Sequence, residues 1–172
     1  MRRRTSGLVV LLLCLLGPAS TAGAATTLLR LDGIGPLKLG MTRAAALKTG
    51  WLADRAPGCE LASPRPITYR FTGPKAPGGL RGSAQFERGR LSVISFTGGV
   101  RTRVGVRIGA PTARMLSKYR NAGFVASSMF SPVFAGTFVS VKRERGGRQV
   151  LGAFAQGGHV QNLAVPAVAV CE

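Results

Sequence analysis

Few side chains in this sequence have the chemistry for covalent or acid–base work. There is one histidine, His159, beside Gly157-Gly158. Cys59 and His159 have the residue types of a nucleophile and its base, but no third residue is marked out to orient the imidazole. The six carboxylates (Asp32, Asp54, Glu60, Glu87, Glu144 and Glu172) are scattered. No two of them are spaced for acid–base catalysis or for holding a metal. No Gly-x-Ser-x-Gly elbow occurs. Gly33-x-Gly35 follows the apolar run Leu28 to Leu31, as a phosphate loop would, but Pro36 stands where a helix should open. The expectation is a protein that is not an enzyme and holds no metal and no cofactor.

The elements that would have to position any site begin after a leader. Arg2, Arg3 and Arg4 precede an apolar run from Leu8 to Leu16, and Ala22-Gly23-Ala24 supplies the small residues of a cleavage site. This is the grammar of a secretory signal peptide over residues 1–24, cut near Ala24. The apolar run is too short to span a bilayer. Lipidation at Cys14 is disfavoured because Leu13, not a small residue, precedes it. The mature chain is therefore expected outside the cytoplasm, secreted or associated with the cell wall, with no transmembrane segment.

Charge narrows the partners. The signal takes three of the 24 basic residues and none of the six acids, so the mature charge is about +15. Such a surface attracts polyanions. Outside a cell these are acidic proteins, anionic wall polymers and lipid headgroups; nucleic acid fits the charge but not the address. The Ala, Arg, Gly and Val bias is that of a high-GC bacterial genome. Cys59 and Cys171 are the two mature cysteines, an even number in an oxidising compartment. A Cys59–Cys171 bridge is the first reading; two free thiols or intermolecular pairing are the others. Such a bridge would close a loop on the order of 100 residues and contribute about 4–5 kcal/mol.

The mature chain aligns with itself at an offset of 69 residues, the distance from Gly40 to Gly109. Leu37-Lys38-Leu39-Gly40 then lies over Val106-Arg107-Ile108-Gly109, Gly89 over Gly158 and Ile94 over Leu163. In the first unit Thr42 reads as an N-cap for Arg43 to Lys48, with Gly50 as the stop. In the second, Pro111 opens a helix over Thr112 to Asn121, whose Met115, Leu116 and Tyr119 share a face. Strands are expected at Ile67 to Phe71, Ser83 to Glu87 and Leu91 to Phe96. Their counterparts are Thr137 to Arg143, Gln149 to Ala155 and His159 to Val165. Residues 73–82 and 126–136 read as loops. The expected architecture is α+β: two tandem units, 25–100 and 101–172, each a short helix packed on an antiparallel sheet of about three strands.

Gly40-Met41-Thr42-Arg43, opening a repeated unit of helix plus antiparallel strands, resembles the secreted β-lactamase inhibitory proteins. It is also similar to the outer-membrane SmpA/OmlA lipoproteins, which carry one such unit. The resemblance implies helices packed on antiparallel sheet and, in the tandem inhibitor, a concave sheet face that grips an enzyme. The second unit here lacks the Met-Thr pair, the expected bridge joins the units instead of lying within each, and the charge is strongly basic. No family binding residue aligns with this chain.

The residues with a recognition chemistry are basic or aromatic. Lys142, Arg143, Arg145 and Arg148 surround Gly146-Gly147 and predict a basic hairpin tip, which is either an anion contact or a solvated charged turn. Arg101, Arg103 and Arg107 flank the junction between units. Phe130 and Phe134, in a Ser/Pro-rich stretch, are candidate interface anchors, while Trp51 reads as core. The function expected is a secreted, non-enzymatic protein-binding module, inhibition being one form of this. The alternatives are a basic envelope protein held on anionic wall polymer or membrane surface, and an unrecognised extracellular enzyme.

Overall fold

The computed structural model describes residues 26–56 and 66–169. The expected signal segment, Cys59 and Cys171 lie outside the described residues, and so does the bridge expected between those cysteines. Three short strands come first: β1 (Thr27–Arg30), β2 (Gly33–Ile34) and β3 (Leu37–Lys38). Helix α1 (Arg43–Lys48) starts where Thr42 Oγ1 accepts the N–H of Ala45 at 3.3 Å, satisfying one donor the helix itself cannot pair. Then come β4 (Ala53–Ala56), β5 (Ile67–Arg70), β6 (Arg81–Glu87), β7 (Arg90–Gly98) and β8 (Val100–Thr102). Helix α2 (Thr112–Asn121) begins behind Pro111 and buries Met115 and Tyr119. The chain continues through β9 (Val125–Ser131), β10 (Gly136–Lys142), β11 (Gln149–Gln156) and β12 (His159–Val165).

This corrects the expected α+β architecture of two units, each a helix on about three strands. The described residues are mostly β, with twelve strands in two sheets and two helices. Eight strands form one antiparallel sheet in the order β4-β5-β6-β7-β12-β11-β10-β9. The other four form a small sheet, β3-β2-β1-β8, in which β1 and β8 run parallel. Strands on either side of residue 100 belong to one sheet, because β7 pairs with β12 through Ile94↔Val165, Ser95↔Ala164 and Phe96↔Leu163.

The strands that sequence reading omits are β4 and β9, the two edges of the large sheet, and the four short strands of the small one. An edge strand is solvated along one side, so it need not alternate polar and apolar residues. The β9 sequence Val-Ala-Ser-Ser-Met-Phe-Ser buries only Ala126, and β4 buries no residue fully.

Four backbone hydrogen bonds recur at the 69-residue offset. Gly40 N–H donates to Leu91 at 2.8 Å, and Gly109 N–H to Val160 at 2.7 Å. Leu91 N–H returns a bond to Met41, and Val160 N–H to Ala110. Arg43 N–H donates to Gly89, and Thr112 N–H to Gly158, both at 2.9 Å. Ala46 N–H bonds Thr42, and Met115 N–H bonds Pro111. Gly40 and Gly109 both have φ +81°, a conformation glycine adopts without the cost a Cβ imposes. These clamps fasten the start of each helix to the two central strands, β7 and β12.

One face of the large sheet carries the core. Ala84, Phe86, Leu91, Ile94, Phe96, Val139, Val141, Leu151, Ala153, Val160 and Leu163 are buried there. Ala46, Met115 and Tyr119 from the helices join the same cluster, as do Leu29, Ile34, Leu37 and Val100 from the small sheet. Trp51 is half-buried against this cluster, with its ring over Gly35. The alternate residues point to the other face, which neither helix covers. There the chain after β12 turns back and passes over Gly152. A Cβ added at Gly152 would lie 2.7 Å from the Val168 backbone nitrogen.

Candidate functional site

Of the residues considered for catalysis, Cys59 lies outside the described residues. His159 is exposed at the start of β12, and its Nδ1 lies 2.9 Å from the Gly157 carbonyl oxygen. Among the described residues no three His, Cys, Asp or Glu side chains converge. Gly33-x-Gly35 is a hairpin between β2 and β3, with Gly33↔Lys38 and Ile34↔Leu37 as its register, and opens no helix.

The basic tip and the aromatic pair occupy the two ends of β10. Arg143, Arg145 and Arg148 are exposed in the β10–β11 turn together with Glu144, and Lys142 is half-buried at the strand end. Phe130 and Phe134 belong to the β9–β10 hairpin at the other end. The seven residues of β10 separate the two groups by about 20 Å at ordinary strand rise. Arg101 and Arg107 face each other across an isolated bridge.

The β9–β10 hairpin is the most apolar exposed surface among the described residues. Met129 is 69% exposed, Phe130 65% and Val133 81%. Phe134 packs edge-on against Phe138 at 5.6 Å, and Phe138 meets Phe154 at 5.2 Å, so an aromatic chain runs from the hairpin onto the uncovered sheet face. Sequence reading selects Phe130 and Phe134 but misses Met129, Val133 and Phe138. Once β9 is taken for a loop, nothing shows that these side chains share one hairpin.

β9 is also an edge without the usual protection. It is seven residues long, with no charged residue and no proline, and its register with β10 runs unbroken from Val125↔Lys142 to Ser131↔Gly136. The opposite edge, β4, has four residues, carries Asp54 and Arg55, and its register shifts between Ala53 and Arg55. Charge, shortness and bulges are the devices that stop an edge from pairing with another chain. β4 has them and β9 does not. Only its Ala126 carbonyl is capped, by Arg120 Nε and Nη2 at 3.0 and 2.9 Å.

A cavity of about 740 Å³ lies between the small sheet and α2. Leu28, Val104, Tyr119, Phe124 and Val150 line it, with Arg103 and Arg143 at its margin. Arg30 also borders it, bound to Asp32 at 3.1 Å, and this guanidinium holds the Asp32 carboxyl below the usual carboxylate range. Tyr119 is only 2% exposed, and burial raises its phenol above the ordinary value, opposed by a hydrogen bond with Thr102. The neutral phenol's contribution to stability is therefore complete below about pH 10 and is lost as pH rises through the folded-state value. Tyr119→Phe should lose less stability than the native protein between pH 9 and 11, measured by urea unfolding. An equal loss in both would show that Tyr119 does not set the alkaline limit.

No helix among the described residues is long and apolar enough to cross a membrane. No family model, no curated protein and no solved structure matches the chain.

Proposed function

We propose that this protein is a non-enzymatic module that acts outside the cytoplasm and binds an acidic protein partner through the β9 edge and the β9–β10 hairpin. The observation that carries this reading is the unprotected edge with three large apolar side chains exposed beside it. An anionic wall polymer offers nothing for Met129, Phe130 and Val133 to bury against. A protein strand can pair with the free backbone groups of β9 while its side chains cover the apolar ones. The mature charge near +15 opposes pairing with a second copy and favours an acidic partner. The basic tip, about 20 Å from the hairpin, adds long-range attraction.

The test is capture from the secreted fraction by the immobilised mature chain. The combined change Met129→Ser, Phe130→Ser, Val133→Ser should abolish capture while leaving the melting temperature within a few degrees, because these side chains are exposed. Replacing Arg143, Arg145 and Arg148 by Ala should weaken capture and flatten its dependence on salt. Capture untouched by the hairpin changes would refute the site. Binding that is wholly salt-labile and indifferent to the polyanion offered would favour the wall-polymer alternative.

A further inference from the structure

We propose that a groove on the uncovered face of the β4–β7 half of the sheet binds an oxyanion carried on a sugar ring, a uronate or a sugar phosphate. The site is separate from the β9 edge and does not depend on that reading. The groove has a volume of about 550 Å³, within the range of ordinary ligand sites. Its floor follows from register. Thr68 and Arg70 on β5 lie beside Gln85 and Ser83 on β6, Ser83 lies beside Ser95 on β7, and Asn162 on β12 completes the lining.

Three observations specify the ligand. First, Arg70 and Arg81 are the charged groups among the described lining residues, and no carboxylate accompanies them. Neither makes an ion pair among the described residues. The head of Arg81 is laid against Gly98, where an added Cβ would come within 2.7 Å of its Nε. Guanidinium forks without a carboxylate partner call for an oxyanion. Second, Ser83 Oγ and Ser95 Oγ lie 3.2 Å apart and share one hydrogen, so the pair keeps a second hydrogen to donate. Third, the Asn162 side-chain oxygen is buried and has no hydrogen-bond partner. A buried acceptor left unpaired is costly, and it needs a donor from the ligand. Sulfate, an anion with no hydrogen to give, satisfies the arginines and leaves Asn162 unpaired. A neutral sugar does the reverse. An anionic sugar supplies the charge and the hydroxyl donor together.

Titration calorimetry of the folded mature chain at low salt tests this with four probes: trigalacturonate, glucose 1-phosphate, inorganic sulfate and maltotriose. At least one anionic sugar should bind about tenfold or more tightly than both inorganic sulfate and maltotriose. Binding of trigalacturonate alone identifies a polymer unit as the source, and of glucose 1-phosphate alone a free sugar phosphate; either supports the proposal. Arg70→Ala and Arg81→Ala should each weaken that binding about tenfold. Asn162→Leu should weaken it while the melting temperature holds or rises, because an unpaired buried acceptor is removed. An asparagine with a purely structural role would instead lower the melting temperature. The triple hairpin change at Met129, Phe130 and Val133 should leave sugar binding intact, so failure here is distinguishable from failure of the protein-binding reading. No anionic-sugar binding, equal binding of sulfate or maltotriose, or binding unaffected by the three groove substitutions would overturn the proposal.

Discussion

Phe96→Ala should cost about 3–5 kcal/mol of unfolding free energy, the range for truncating a fully buried phenylalanine. Phe96 is 0% exposed and stands on β7, opposite Gly82 of β6 and Leu163 of β12. Its ring meets that of Phe71 at 4.8 Å. Only three residue pairs join β7 to β12, and Phe96↔Leu163 is one of them. The cavity would therefore open where the two halves of the large sheet meet, and neighbours held in ladders on both sides have little freedom to close it. A native stability of about 5–15 kcal/mol makes this a large fraction of the whole. Urea unfolding should show a lower midpoint with an unchanged slope. A loss under about 1 kcal/mol would mean that the core around Phe96 collapses freely, contrary to the packing described.

Gly99→Ala should cost about 2–4 kcal/mol, from a left-handed backbone and a backbone collision acting together. Gly99 lies between β7 and β8, where the chain passes from the large sheet to the small one, and its carbonyl accepts the N–H of Thr27 at 2.9 Å. Its φ is +77°, and an added Cβ would strike the Gly79 carbonyl oxygen and lie 2.7 Å from the Leu80 Cα. Backbone cannot swing aside as a side chain can. The neighbouring Gly98→Ala is the control. There the three atoms nearest the added Cβ all belong to the Arg81 guanidinium end, a flexible side chain that can shift where backbone cannot, so the loss should stay under about 1 kcal/mol. Equal losses at the two positions, by urea unfolding, would remove the distinction drawn between them.

The residues that build the helices are legible in the chain itself. Thr42 is an N-cap by type and position, and its hydroxyl accepts the Ala45 N–H. Met115 and Tyr119 sit at helical spacing and are both buried. The inner strands are legible for the same reason: β6, β7, β10, β11 and β12 are buried on one side, so each carries an apolar residue at alternate places over part of its length. β4 and β9 carry no such signal, because an edge is exposed whichever face its side chains take. Without them, one eight-stranded sheet reads as two sheets of about three strands each. The β9 edge is then hidden as well, since a stretch read as a loop has no backbone row to offer.

Residue types and short-range spacing suffice for the local chemistry: where helices start, which strands have an inner face, how basic the chain is, and that His159 has no charged residue within ten positions on the N-terminal side. One chain displays those properties directly. Which surfaces coincide is settled only by the three-dimensional pairing of strands. That pairing sets Arg70, Arg81, Ser83, Ser95 and Asn162 around one groove, although they span residues 70–162. It also parts the basic tip from Phe130 and Phe134, which are near neighbours in the chain, by running β10 straight between them. Antiparallel pairing brings distant segments side by side and carries the two ends of a single strand apart, so proximity along the chain and proximity in space are set by different forces.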